Sequence, residues 1–301
     1  MKPYLANAAK TKEILDRYGF TMKKGYGQNF LIDPRIPEGI TEAAALTKQD
    51  TVFEIGPGIG TLTQYLAEKA GRVIALELDR KLEPVLRETL SGWDNITLLW
   101  GDVMKQDLPA LLAENGVSGP VRVAANLPYY ITTPILMRLF EHRNLFSDMT
   151  VMVQQEVGER MAAVPGGKEY GMLSLSVQYY TDPKIALTVP PSSFLPQPKV
   201  SSVVMRLQEK KKTEWTVEDE ALFFSVIRAA FLQRRKTLAN ALAANPALGT
   251  DRETIERILS GMGLDPMIRG ERLGLEQYAA LANRLFEEKS KDRTPKGAER
   301  G

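Results

Sequence analysis

From residue 51 onward, short apolar runs alternate with longer stretches whose apolar residues recur at helical spacing. Thr51–Ile55, Arg72–Leu76, Ile96–Trp100, Val121–Ala125 and Asp148–Gln154 have the length and composition of buried strands. Between them, Thr61–Ala70 (stopped by Gly71), Lys81–Leu90 and Pro134–Phe140 predict helices, and another begins at Gln155. Strands that alternate with helices predict an α/β domain with a mostly parallel sheet covered on both faces. Ahead of it, Ala6–Tyr18 reads as an amphipathic helix ending near Gly19, Met22–Phe30 as a loop and Ile36–Leu46 as a helix. Ser174–Tyr180 and Val203–Leu207 read as late strands that complete the sheet in antiparallel fashion.

The pattern changes after Leu207. Glu209–Lys212 is a polar linker. Glu218–Leu242 then reads as one long helix, with Phe223, Ile227 and Phe231 on one face. Asp251–Met262 and Leu275–Phe286 predict two more helices, with Gly263 ending the first and Gly274 opening the second. The expected organisation is an α/β domain over 1–208, an all-helical domain over 213–288, and a polar, disordered tail over 289–301.

A chain of 301 residues is long enough for one large or two smaller domains. No apolar run reaches the ~18–20 residues that span a bilayer, and Met1–Lys12 lacks the apolar core of a signal peptide. Cytoplasmic residence, no membrane partner and a monomeric state are the expectations. The chain has no cysteine and one histidine, His142, expected near a helix end. Thiolate nucleophiles, disulfides and thiolate zinc sites are therefore excluded, neither a histidine-based triad nor a multi-histidine metal site is expected, and no metal is expected. Chemistry must come from carboxylates, amides, aromatic rings or a cofactor. The net charge of +2 is unevenly spread. Residues 51–185 carry twelve Lys/Arg against sixteen Asp/Glu, whereas 1–50 carry eight against six and 186–301 nineteen against fifteen. Basic flanks suit a polyanionic partner, although an excess this small is also what a solvated surface carries.

The first strand ends in Glu54-Ile55-Gly56, followed by Pro57-Gly58-Ile59-Gly60 and a helix. This is the first βα turn of a doubly wound, Rossmann-like fold, where Gly56 and Gly58 permit a tight turn and close approach of a ligand to backbone. Glu77 ends the second strand, 21 residues after Gly56, where an acid accepts hydrogen bonds from ribose hydroxyls. Asp102 follows the third strand and is placed for the rim of an adenine; a turn or cap role would suit it too. The G-x-G-x-G spacing and the acid after strand three favour S-adenosylmethionine over a nicotinamide cofactor.

Asn126-Leu127-Pro128-Tyr129 follows the fourth strand directly. An exocyclic adenine amine is a poor nucleophile because its lone pair is delocalised into the ring. The Asn126 amide oxygen and the Leu127 carbonyl can accept its two N–H groups and favour a more pyramidal nitrogen. Pro128 holds Leu127 extended and so fixes that carbonyl. Tyr129 offers a stacking face worth ~1–3 kcal/mol to a base. A sulfonium methyl donor needs neither a histidine base nor a metal. On its own, the tetrapeptide would pass equally for a plain turn.

Taken together, these motifs resemble those of the ribosomal RNA adenine N6,N6-dimethyltransferase family, in the branch that acts on small-subunit rRNA. Gly27-Gln28-Asn29-Phe30-Leu31 resembles its N-terminal cofactor motif and Gln155-Glu156-Val157-Gly158-Glu159-Arg160 the segment after strand five. Phe194-Leu195-Pro196-Gln197-Pro198-Lys199-Val200 is similar to its late loop, Phe231–Leu238 to the start of its C-terminal domain, and Arg269–Leu285 to its last helical region. The resemblance implies a cofactor site of Gln28, Asn29, Leu31, Gly56, Gly58, Glu77, Asp102 and Asn126, and a base pocket of Asn126, Leu127, Pro128, Tyr129 and Phe194. It implies S-adenosyl-L-methionine as donor. The implied substrate is 16S rRNA in the small (30S) subunit, with two adjacent adenosines near its 3′ end each dimethylated. Arg234, Arg235 and Lys236 are expected to contact rRNA phosphate or to form a solvated helix face. Lys168 and Tyr170, in a glycine-containing loop, are expected to meet RNA or solvent. Two rivals share these motifs: an enzyme of the large subunit, and an assembly factor whose methylation is secondary.

Overall fold

A computed structural model describes residues 4–20, 29–210 and 215–293. The strands are β1 (Phe30–Leu31), β2 (Thr51–Ile55), β3 (Arg72–Glu77), β4 (Ile96–Trp100), β5 (Val121–Asn126), β6 (Phe146–Gln154), β7 (Thr181–Val189), β8 (Phe194–Leu195) and β9 (Ser202–Glu209). The helices are α1 (Ala8–Arg17), α2 (Arg35–Ala43), α3 (Thr61–Lys69), α4 (Glu83–Thr89), α5 (Leu108–Glu114), α6 (Thr132–Glu141), α7 (Gln155–Met161), α8 (Met172–Tyr180), α9 (Glu220–Leu232), α10 (Leu238–Ala243), α11 (Arg252–Gly261) and α12 (Leu275–Arg293). The chain divides into two compact units, Met1–Gly158 with Thr181–Glu209, and Glu159–Tyr180 with Lys210–Gly301.

Among the described residues of the first unit, seven strands form a mixed sheet in the order β4-β3-β2-β5-β6-β9-β7. β4 through β6 are parallel, and β9 runs antiparallel to both β6 and β7. Strands covered on both faces need apolar residues throughout, and Val52, Phe53, Val73, Ile74 and Ala75 are fully buried. Chain order reverses between β2 and β5, the switch point at which such sheets bind ligands beyond their carboxyl ends. At the opposite end Arg122 fastens the strands. Its Nε donates to Asp50 at 2.8 Å and Nη1 to the Ala44 carbonyl at 3.1 Å, while Asp148 lies 3.4 Å away.

Two strand assignments change. Ser174–Tyr180 is not a strand but lies within the helix α8. Its serine–apolar alternation mimics a period of two because Leu173 through Val177 are all buried, leaving no polar face to mark the helical period. The buried Ser174 hydroxyl accepts from Gly171 N and donates to the Arg160 carbonyl, so this serine needs no solvent. The additional strand is β7, which the sequence pattern conceals behind Pro183. Proline is tolerated there because β7 is the sheet edge.

The second unit is helical, as expected, but its boundaries and joints differ. It takes in Glu159–Tyr180 as well as the C-terminal region, so the single division near residue 208 gives way to two crossings. Tyr170 and Leu175 share its core with Phe223, Ile227, Leu259 and Tyr278, which is why the inserted segment belongs there. Tyr170 is thus neither an RNA nor a solvent contact: it is buried, and its hydroxyl donates to the Leu273 carbonyl at 2.9 Å. The long helix over Glu218–Leu242 breaks at Gln233–Thr237. Thr237 turns extended and caps α10 by accepting from Asn240 N, while Leu238 N donates to the Ile268 carbonyl. Asp219 and Asp251 cap α9 and α11 in the same way, their carboxylates suiting helix N-termini. The last helix continues through residues 289–293, where the polar composition predicts disorder; the remainder of that tail lies outside the described residues.

Candidate active site

The glycine turn between β2 and α3 is built on positive φ angles at Gly56, Gly58 and Gly60, of 70°, 62° and 89°. A Cβ on Gly58 would also lie 3.2 Å from the Phe30 ring, so this position demands glycine twice over. Gly56 N donates to the Leu76 carbonyl, which ties the turn to β3.

Glu77 organises the same turn from the next strand. One carboxylate oxygen accepts from Gly58 N at 3.0 Å and the other from Asp79 N at 2.8 Å. Leu78 adds a third amide contact, and the carboxylate keeps a further acceptor direction beyond these. Burial pushes the Glu77 carboxyl above its usual range, against the opposing pull of these amide bonds. Asp102 combines a turn role with a place in the site: its side chain accepts from Met104 N at 3.0 Å.

Asn126 closes β5. Its Nδ2 donates to the Asn29 carbonyl at 3.3 Å, and since a carbonyl can only accept, this bond fixes the amide with Oδ1 as the acceptor presented elsewhere. Leu127 is buried, its N–H held by the Met152 carbonyl at 3.1 Å. Pro128 is extended and starts a 3-10 turn over Tyr129–Ile131. The Tyr129 hydroxyl meets Ser202 Oγ on β9, and burial pushes the phenol up.

These residues line one open cleft of about 1030 Å³, the part facing solvent included. Asn29, Leu31, Gly56, Gly58, Glu77, Asp102, Asn126, Leu127, Pro128 and Tyr129 all stand in its wall. Phe194 does not. It is completely buried, paired with Leu31 across β1 and β8 and sharing a core with Val189 and Val204. The aromatic ring expected on the base is thus a core residue here. Gln28 lies outside the described residues.

Arg234, Arg235 and Lys236 belong to the second unit and sit in the break after α9 rather than on a helix face. Arg234 is engaged internally: its Nε meets Glu271 at 2.7 Å and Nη2 the Lys168 carbonyl at 2.8 Å. Arg235 and Lys236 are exposed.

The cleft adds a residue that the sequence motifs do not single out. Glu54, the penultimate residue of β2, is 1% exposed yet stands in the cleft wall. Burial raises its carboxyl to about 8, opposed by the Thr63 hydroxyl and reinforced by the Glu77 charge. Glu54 Oε2 finds no hydrogen-bond partner among the described residues. An acid inside the otherwise apolar run Thr51–Ile55 is the signal that could have found it.

A buried carboxyl with an unsatisfied oxygen, two further acids and a side-chain amide around a glycine turn fit a cofactor with cationic groups, a ribose and a heteroaromatic ring. The sheet and this cleft define the Rossmann-like fold of S-adenosylmethionine-dependent methyltransferases. The Ribosomal RNA adenine dimethylase profile matches residues 19–280. The chain belongs to that family. It is 49% identical over 289 residues to Ribosomal RNA small subunit methyltransferase A of Lachnoclostridium phytofermentans, covering 96% of this chain and 99% of that protein. It is 49% identical over 284 residues to the protein of the same name in Geobacillus thermodenitrificans, covering 94% and 97%. Among solved structures, a dimethyladenosine transferase from Plasmodium falciparum superposes with a TM-score of 0.72 at 26% identity, over 87% of this chain and 98% of that one. The 23S rRNA methyltransferase ErmE gives 0.65 at 26%, over 86% and 100%.

Proposed function

We propose that this protein dimethylates the N6 amines of two adjacent adenosines near the 3′ end of 16S rRNA in the small ribosomal subunit. Asn29, Leu31, Gly56, Gly58, Glu77, Asp102 and Asn126 would hold S-adenosyl-L-methionine, with the Glu77 lone pairs not used by backbone turned to the ribose. The bound donor would supply an electrophilic methyl group on a sulfonium: the amine nitrogen gains the methyl, the sulfur keeps the pair of the broken S–C bond as a neutral thioether, and the proton the amine loses passes to solvent. Asn126 Oδ1 and the Leu127 carbonyl accept from the adenine amine, and their attraction grows as positive charge develops on nitrogen. Tyr129 orients the base, which must leave its stack to reach the donor. The exposed Arg235 and Lys236 bind phosphate.

One observation carries this reading: the Asn126 amide is oriented by the Asn29 carbonyl within the same cleft as the glycine turn and Glu77. The near-full-length likeness to two proteins named for the small subunit supports the choice of subunit over the 23S alternative. The test is incubation with labelled donor and unmethylated 30S particles or 50S particles, followed by nucleoside analysis. Label as N6,N6-dimethyladenosine in 16S rRNA is expected; label confined to 23S rRNA would overturn the reading. No helix among the described residues is long and apolar enough to cross a membrane.

A further inference from the structure

Two consecutive tyrosines follow Pro128, and the structure treats them differently. Tyr129 is half-buried with its hydroxyl on Ser202, whereas Tyr130 stands in the wall of the same cleft with 52% of its surface exposed. Three residues per turn in a 3-10 segment direct successive side chains about 120° apart, so one ring turns inward and its neighbour outward. The backbone beneath them is pinned: Ile131 N and Thr132 Oγ1 both donate to the Pro128 carbonyl, at 3.2 and 3.1 Å. Tyr130 is therefore a large aromatic ring at the mouth of the cleft, on a rigid segment adjoining the amine-binding residues.

We infer that Tyr130 stacks on the adenosine neighbouring the one held in the cleft, and so lowers the cost of drawing the held adenosine out of its stack. The inference rests on the proposed two-adenosine substrate. When one of two adjacent adenosines is drawn out of its stack, the other loses its stacking partner on one face and remains one nucleotide away, at the mouth. An exposed aromatic ring at that place replaces the missing stacking partner without reading base identity. The other strongly exposed apolar residue of the rim, Leu78, lies beside the ribose-facing acid Glu77 and not beside Asn126–Tyr129. With more than half of its surface exposed, Tyr130 should cost little stability when replaced, which thermal unfolding of each variant checks.

The experiment compares wild type, Tyr130→Ala and Tyr130→Phe on unmethylated 30S particles, with mass spectrometry of the rRNA fragment through a time course. Donor affinity is measured in parallel by calorimetry. In Tyr130→Ala, methylation should slow from the first adenosine onward, because the neighbour of the held adenosine loses its stacking surface. The rate should fall about tenfold or more, the effect of removing one stacked ring. Tyr130→Phe should match wild type, and donor affinity should be unchanged in both. An unchanged rate in Tyr130→Ala, identical behaviour of the Ala and Phe variants, or weakened donor binding would each overturn the inference. A wild-type protein that leaves 16S adenosines unmodified refutes the proposed function itself, and this inference with it.

Discussion

Replacing Glu54 by glutamine should make the ligand-free protein more stable at neutral pH while weakening its hold on the methyl donor. The carboxyl titrates near 4.5 in an unfolded chain and near 8 in the folded one, because burial penalises its charge and Glu77 adds to the penalty. The sign follows from proton binding. Between these values the folded state binds a proton that the unfolded state has already released, so stability falls as pH rises. The contribution is fully present below pH 4.5 and is gone above about 8. Each pH unit in that window corresponds to about 1.4 kcal/mol, so the whole gap is on the order of 5 kcal/mol and the part spent by pH 7 is roughly 3 kcal/mol. Glutamine resembles the protonated carboxyl in shape and cannot ionise. Glu54→Gln should therefore match wild type near pH 5, exceed it by roughly 3 kcal/mol at pH 7, and show a flatter dependence throughout. In a chain this long that difference amounts to about 6–12 °C in Tm.

The assay is thermal unfolding at half-unit intervals from pH 5 to 8.5, repeated with saturating donor. Acids held below their usual range by cationic partners or amide bonds, such as Asp33, paired with Arg35, and Asp50, bonded to Thr47, lose their contribution only at lower pH and leave this window clear. Glu77 shifts in the same direction as Glu54, so a residual slope should survive in the variant. A bound cation beside Glu54 favours the carboxylate, so donor should reduce the slope in wild type more than in Glu54→Gln. If the variant were less stable than wild type at pH 7 with an unchanged slope, Glu54 would be an ionised, satisfied structural acid. It would then have no place in the proposed cofactor site.

The other expectations use separate readouts. Glu77→Ala should weaken donor binding by more than the ~1–3 kcal/mol of charge-assisted hydrogen bonds alone, because Gly58 and Asp79 also lose their acceptor; unchanged calorimetric affinity in a folded variant would remove Glu77 from the site. Asn126→Ala should lower the single-turnover rate at saturating subunit by ~100-fold or more, and a near-wild-type rate would show that the amide plays no part in the chemistry. Phe194→Ala, at a fully buried position, should destabilise the fold by about 3–5 kcal/mol, and a variant as stable as wild type would restore this ring to the base pocket. Replacing Arg235 and Lys236 together should flatten the salt dependence of subunit binding, by up to about one unit of slope for each phosphate left without its cation. Arg234→Ala, which breaks the ion pair with Glu271, should instead lower Tm. An unaltered salt slope in the double variant would return Arg235 and Lys236 to an ordinary solvated surface.

What the sequence discloses and what it hides divide along a physical line. The glycine turn, Glu77, Asp102 and Asn126–Tyr129 are legible because each is local: a strand end and the residues that follow it fix their own geometry, and the parallel sheet then gathers the strand ends at one edge. Features set by distant packing are not legible. Ser174–Tyr180 looks like a strand because burial on every side removes the polar face that reveals a helix. Arg234 looks like a free cation, yet Glu271 and the Lys168 carbonyl, both remote in sequence, claim it. Phe194 looks like a base-stacking ring, but its pairing with Leu31 takes it into the core. Glu54 escapes notice for the opposite reason, since an acid in a buried strand reads as a lapse in an apolar pattern. Once the fold is known that lapse becomes informative. A carboxyl whose burial opposes its charge, with an oxygen left unpaired beside the glycine turn, is tolerated where binding a cationic ligand offsets that burial. The local rule broken at Glu54 therefore marks the site as clearly as the rules kept around it.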